Sequence, residues 1–146
     1  VQVPAGKTIY FHSGITPAPL DAKAAEGSPE YWGDTKTQSL SAFGRIKESL
    51  DSLGLSFKDV VAMTVYLVGD PAKDGRMDFA GFMSAYTQYF GTPEQPNLPA
   101  RSTVPGGKSW RRCSRMESIM LCRLASSSGS IFSWARPSPS FLRPRL

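Results

Sequence analysis

Cysteine and histidine are scarce in this chain of 146 residues. Both cysteines, Cys113 and Cys122, lie beyond residue 104, and His12 is the single histidine. Residues 1–104 therefore lack the ligand spacing of a zinc site and the thiol of a cysteine nucleophile. A single histidine also argues against a Ser/His/Asp triad. We expect His12 to be packed or half-exposed rather than catalytic.

The sequence also lacks long apolar runs, and its C-terminal part is poor in acidic residues. No run reaches the roughly eighteen apolar residues of a membrane span, so no membrane partner is expected. Residues 105–146 carry eight Lys/Arg and one acid, Glu117, whereas residues 1–104 carry nine Lys/Arg and eleven Asp/Glu. The net charge of +5 therefore arises in the tail. Because the body is slightly acidic, a nucleic-acid face on it is not expected.

The N-terminal third favours strands and a loop. Val1–Val3 and the β-prone run from Thr8 to Ser13 predict two short strands around a turn. Residues 15–33 contain three prolines and two glycines and predict a long surface loop. A loop of this length is uncommon without a function, so it is a candidate for bordering a site.

Two amphipathic helices and a buried strand follow. Asp34 is a good N-cap, and the apolar spacing predicts a helix that ends near Gly54. The run Val60–Val68 predicts a central strand, and residues 69–75 predict turns. A second helix is predicted over residues 76–90, with its aromatic residues mainly in packing. The fold class is then α+β, a mixed sheet with two helices on one face.

Arg101 closes this patterned region, in the run Asn97–Val104. The prolines at 93, 96 and 99 restrict the backbone before it. A guanidinium held in this way can bind a carboxylate through two parallel hydrogen bonds. The alternative is an arginine that pairs with an acidic neighbour and holds a loop. The sheet face left without helices indicates self-association, for which cyclic symmetry is common.

The composition changes at Pro105. The last 42 residues contain ten serines, seven arginines and four prolines, and only residues 119–124 resemble a strand. We place a domain over residues 1–104 and an atypical basic tail over residues 105–146. One interpretation of the tail is an arm that binds nucleic acid or another anionic surface. The other is out-of-frame translation of a GC-rich gene.

Several motifs in residues 1–104 resemble the Rid/YjgF family of enamine/imine deaminases, also labelled endoribonuclease L-PSP-like. They are Gly33-Asp34-Thr35-Lys36-Thr37-Gln38, Asp59-Val60-Val61, Thr64-Val65-Tyr66-Leu67, Tyr86-x-x-Tyr89-Phe90 and Pro99-Ala100-Arg101-Ser102. The resemblance implies a chorismate-mutase-like fold. It also implies a homotrimer whose sheets form a central barrel, with three clefts between subunits.

The resemblance also implies a reaction, the hydrolysis of reactive 2-imino or enamine acids to 2-keto acids and ammonia, without metal or organic cofactor. Arg101 matches the arginine that clamps the substrate carboxylate. Ser13 and Thr103 match pocket positions, and Met83 stands where active members have an asparagine. The family's water-activating glutamate belongs to a final strand that is lost or altered after Val104.

Two other functions are compatible with the sequence. The same clamp could hold a small carboxylate without converting it, as a binding or interaction protein. An RNA-directed activity ranks last, because residues 1–104 contain no paired acid and base suited to RNA cleavage. The resemblance implies a cytoplasmic location, with export to the periplasm after leader removal as the alternative for a chain that starts at Val1.

Sequencing the coding DNA tests the origin of the tail. If the tail is out of frame, we expect another reading frame to continue the domain past Val104. The absence of any such frame contradicts the hypothesis.

Overall fold

The computed structural model describes residues 1–26, 28–106 and 118–126, the last segment by its backbone. Within these ranges the chain forms nine elements and two single 3₁₀ turns, Phe57–Asp59 and Pro71–Lys73. The elements are β1 (Thr8–Phe11), α1 (Pro29–Trp32), α2 (Thr35–Ser52), β2 (Val60–Leu67), β3 (Gly69–Asp70), β4 (Arg76–Met77), α3 (Phe79–Tyr86), β5 (Ala100–Pro105) and β6 (Ser118–Ser126).

Four strands form one mixed sheet in the order β1-β6-β2-β5. Strand β6 is antiparallel to both of its neighbours, whereas β5 is parallel to β2. The parallel register places Arg101 beside Met63 and Thr103 beside Val65. Strands β1 and β5 are therefore the two edges of this sheet, and β3 pairs with β4 in a separate small hairpin.

Helix α2 is fixed at both ends by local chemistry. The Asp34 side chain accepts a hydrogen bond from the Thr37 backbone N–H at 2.7 Å, which satisfies a free donor at the helix start. After the helix, Gly54 has φ +67°, a left-handed conformation that glycine adopts without strain. The predicted limits of this helix are confirmed.

The core lies between the sheet and the two long helices. Alternate residues of β2, Met63, Val65 and Leu67, are buried on the helix-facing side. Phe43 of α2 is fully buried at the centre of an aromatic cluster, with ring centroids 4.8–6.4 Å away. The cluster rings belong to Phe57, Phe82, Tyr86, Tyr89 and Phe90. The prediction of a mixed sheet with two helices on one face is confirmed.

The opposite face of the sheet has no helix among the described residues. Tyr10 packs against the core, so its strand neighbours Ile9 and Phe11 point to the other side. These two side chains are 47% and 75% exposed. This side of β1 is therefore apolar and exposed to solvent.

Two strand predictions were wrong at the N-terminal side of the fold, and one short helix interrupts the predicted loop. Val1–Val3 form no strand, since no neighbouring strand pairs with them in the described sheet, and β1 ends at Phe11 rather than Ser13. The predicted loop contains the short helix α1, which Ser28 caps by accepting from the Tyr31 N–H. Proline at the first helical position suits this start, because it needs no backbone donor there.

The second predicted helix is shorter than expected. Arg76 and Met77 pair with β3, and Asp78 then caps α3 by accepting from the Gly81 N–H at 3.1 Å. The helix ends at Tyr86, and residues 87–90 continue as turns bonded to its last carbonyls. The capping carboxylate thus moves the start from the predicted residue 76 to Phe79.

The strand suggested by residues 119–124 is confirmed as β6. Glu117 and most of the basic tail lie outside the described residues, and the boundary at Val104 and the altered final strand stay predictions. In the part of the chain that the structure describes, no helix is long and apolar enough to cross a membrane.

The Asp34 cap should make stability depend on pH. Hydrogen bonds from the side chain and the backbone of Thr37 lower the pKa of Asp34 below its ordinary 3.8. The ionised carboxylate therefore contributes stability above that value, and the contribution is lost as the pH falls through the folded-state pKa. We expect Asp34→Ala to lower the free energy of unfolding by about 0.5–2 kcal/mol at neutral pH.

Urea denaturation of Asp34→Asn is the matched control. This variant keeps a capping oxygen but cannot titrate, so its deficit against the wild type should shrink as the pH is lowered below 3.8. A deficit that stays constant with pH contradicts the assignment.

Candidate functional site

Arg101 lies on the edge strand β5 and faces the helices, as its register beside buried Met63 requires. Its guanidinium carbon lies 4.3 Å from the ring centroid of Tyr86, 5.3 Å from that of Phe82 and 5.6 Å from that of Phe79. We call these three rings the aromatic cage. A guanidinium is attracted to the negative face of such rings, so the cage holds the cation over α3.

Helix α3 supplies the whole cage because of its spacing. Phe79, Phe82 and Tyr86 are separated by three and four residues, which places them along one helix face. Met83 extends the same face, and the Arg101 Nη1 group donates to its sulfur at 3.0 Å. The Asp78 cap fixes where this face begins.

No carboxylate of the described residues lies within 4.0 Å of the Arg101 guanidinium. The side chain is half-buried, so part of its hydration is lost. Cations in such positions are normally paired, since an unpaired charge is costly to desolvate. One N–H group of Arg101 donates to the Met83 sulfur, and the others are suited to an anionic ligand. A carboxylate matches the planar geometry of a guanidinium.

Tyr86 is the cage ring nearest to the guanidinium. Burial raises the pKa of its phenol from the ordinary 10.0, and the positive charge of Arg101 partly opposes this rise. The phenol therefore stays protonated at neutral pH. Tyr86 acts on Arg101 through its neutral ring rather than as a counter-ion.

Thr103 lies two residues beyond Arg101 on the same side of β5. Its hydroxyl oxygen is buried and has no hydrogen-bond partner among the residues that the structure describes. A buried hydroxyl without a partner is unfavourable unless water or a ligand satisfies it. The structure thus brings Arg101 and Met83 into contact and places Thr103 next to Arg101 along the same side of β5.

Ser13 is not part of this site within one copy of the chain. It follows β1, whereas Arg101 lies on β5, and two strands separate these edges. Three strand spacings amount to about 14 Å. A serine and an arginine so placed cannot hold one small molecule unless a second copy supplies one of them.

Three polar residues of α2, Ser41, Arg45 and Ser49, form a row spaced four residues apart and hold the segment around Ser13. Ser41 Oγ accepts from the Ala18 N–H at 3.0 Å, and Arg45 donates to the Thr16 carbonyl. Ser49 Oγ lies 2.6 Å from His12 Nε2. His12 Nδ1 lies 2.6 Å from the Ser13 carbonyl, which can only accept, so Nδ1 is the donor; in the neutral ring Nε2 then accepts from Ser49. His12 is half-buried and structurally bonded, as expected.

Sequence reasoning missed the aromatic cage and the polar row on α2. The sequence alone indicates only a packing role for the aromatic residues of α3 and does not distinguish Phe79 from the others. Helical spacing of three aromatic residues opposite a strand arginine could have indicated the cage. The serine–arginine–serine spacing of four residues could have indicated the row.

A metal centre is not evident in the described ranges, where no group of three or more His, Cys, Asp or Glu side chains is placed to hold an ion. The chemistry available at the site is that of one cation, one thioether, aromatic rings and one hydroxyl. Such a site suits binding and orientation of a small carboxylate.

Comparison with known proteins supports a family assignment. Residues 2–109 match the model of the family described as Endoribonuclease L-PSP. The RutC family protein PH0854 of Pyrococcus horikoshii is 34% identical over 102 residues, which cover 70% of this chain and 68% of that protein.

Solved structures share the fold. E. coli TdcF with bound serine has a TM-score of 0.58 at 23% identity, covering 86% of this chain and 85% of its own. NMB1025 of Neisseria meningitidis, a member of the YjgF protein family, has a TM-score of 0.56 at 16% identity, covering 83% and 82%. The sheet with its two helices is thus the YjgF architecture.

The contact between Arg101 and Tyr86 can be measured by a double-mutant cycle. We expect Arg101→Met and Tyr86→Leu to couple by about 0.5–2 kcal/mol in the free energy of unfolding, because each removes one side of the cation–π contact. The control cycle pairs Arg101→Met with Leu50→Ala, a fully buried residue of α2. Equal coupling in the two cycles contradicts a specific contact.

Proposed function

Because this chain belongs to the Endoribonuclease L-PSP (YjgF/RutC) family, we propose that it hydrolyses reactive 2-imino or enamine acids to 2-keto acids and ammonia. Arg101 is the residue that binds the substrate carboxylate. The observation that carries the proposal is a half-buried guanidinium, held by an aromatic cage and without a described carboxylate partner.

The cage supports a clamp rather than a structural arginine. An arginine that only held a loop would be expected to pair with a neighbouring acid or carbonyl, whereas the described neighbours of Arg101 are rings and a sulfur. Ring faces restrict the guanidinium plane but leave its N–H edge available. A preorganised N–H edge of this kind binds a carboxylate at little cost in side-chain entropy.

The reaction follows from the polarity of the substrate. Water adds to the electron-poor carbon of the C=N bond, so a C–O bond forms and the nitrogen takes up a proton. The tetrahedral intermediate then expels ammonia as the C–N bond breaks, and loss of the hydroxyl proton leaves the 2-keto acid. Arg101 orients the substrate and stabilises negative charge during these steps.

The described residues beside Arg101 supply no carboxylate or imidazole base. A positioned base contributes about 10²–10⁴-fold to such reactions. We therefore expect a rate enhancement that comes mainly from orientation and electrostatics. The same observation, together with the Met83 contact, favours a second candidate function: binding of a small carboxylate without turnover.

Assembly is part of the proposal. Ile9 and Phe11 on the open sheet face are exposed in one copy, and Ser13 lies at the opposite sheet edge from Arg101. A homotrimer that joins these surfaces would cover the apolar face and bring Ser13 of one copy to the cleft of another. Light scattering of the full chain tests this assembly, and a monomeric mass contradicts it.

Ammonia release from 2-imino acids tests the activity. The imino acids are generated in situ by an amino-acid oxidase, and release is compared among the wild type, Arg101→Ala and Arg101→Lys. We expect Arg101→Ala to lose about 100-fold or more and Arg101→Lys to recover only part, since a lysine cannot bind the carboxylate through two parallel bonds. The matched control is Lys58→Ala, which removes an exposed cation from the 3₁₀ turn after α2.

Two results would change the assignment. Release by Arg101→Ala at the wild-type rate, with unchanged oligomeric mass, rules out the clamp. No release above the uncatalysed rate, combined with calorimetric binding of a carboxylate that Arg101→Ala abolishes, favours the binding function.

A further inference from the structure

We propose that the site at Arg101 selects 2-imino acids with uncharged, apolar side chains, and that Phe79 makes this selection; the inference rests on the proposed function. Phe79 is the one ring of the aromatic cage that is substantially exposed, at 43%, whereas Phe82 and Tyr86 are buried. It is thus the cage surface that a ligand on Arg101 can reach.

The accessible surroundings of the guanidinium are apolar. The sulfur of the half-buried Met83 accepts a hydrogen bond from Arg101 Nη1, and the Phe79 ring lies 5.6 Å from the guanidinium carbon. A substrate whose carboxylate meets Arg101 therefore places its side chain near an aromatic ring and a thioether. Each methylene group buried there should add about fourfold in affinity.

The charged residues that the structure describes beyond Phe79 are paired with one another. An open depression of about 550 Å³ adjoins this ring and is lined in part by Lys73, Asp74, Arg76 and Asp78. These charges face each other, with Lys73 3.3 Å from Asp78 and Arg76 3.8 Å from Asp74.

The Asp78 carboxylate also caps α3, where it accepts a hydrogen bond from the Gly81 N–H. A charged substrate group would compete with these contacts, whereas an uncharged one would not.

Calorimetric titration of the full chain with stable 2-keto acids tests the selection directly. The probes are 4-methyl-2-oxopentanoate, pyruvate and 2-oxoglutarate, which carry a branched apolar, a minimal and an acidic side chain. We expect the Kd of the first to be lower than that of the other two by about tenfold or more. Ammonia release from the imino acids of leucine, alanine and glutamate is measured in parallel.

Two substitutions at Phe79 separate selection from general binding. In Phe79→Ala the preference for the branched probe over pyruvate should fall about tenfold, because the apolar wall is removed. Phe79→Leu should keep most of the preference. Leu98→Ala, which truncates a side chain that is 60% exposed, serves as the control and should keep the wild-type profile.

The outcomes distinguish this inference from the function on which it rests. Selective binding without ammonia release supports the inference and removes the deaminase activity. Ammonia release with equal or stronger use of pyruvate-type or acidic substrates overturns the inference and leaves the deaminase activity in place. Binding of none of the three probes overturns both the inference and the clamp.

Discussion

The main constraint on this structure is the guanidinium of Arg101. It is half-buried and has no carboxylate partner among the described residues. Desolvating Arg101 is unfavourable, and the faces of three rings and the Met83 sulfur must offset that penalty. Those groups can do so only if α3 lies directly over β5. The position of the helix relative to the edge strand and the chemistry of the site therefore have one physical origin.

The same side chains serve the core and the site. Phe82 and Tyr86 belong to the aromatic cluster around Phe43 and also form two walls of the cage. Side chains packed this closely occupy single conformations, because a rotation would open a void in the cluster. The cation is therefore held by side chains of the packed core rather than by a loop, which suits a residue that must fix a substrate's orientation.

Local chemistry made part of this structure predictable from the sequence. Asp34 and Gly54 specify the ends of α2 by themselves, and the apolar run of β2 indicates a buried strand. Strand order is not a local property, so the sequence could not show that Ser13 and Arg101 lie at opposite edges of the sheet. Arg101 could be singled out from its proline-rich context, and the spacing of the aromatic residues could have indicated a cage, but which of them contacts Arg101 depends on how α3 packs against β5.

The central place of β6 affects how the protein is made. Among the described strands β1 pairs only with β6, with Phe11 opposite Arg123. On the ribosome, β1 is therefore synthesised more than a hundred residues before its partner, a delay of roughly 5–20 s at usual elongation rates. During that interval the nascent chain presents Ile9 and Phe11 on an unpaired strand, the kind of segment that chaperones bind. Completion of the sheet is thus a late event in synthesis.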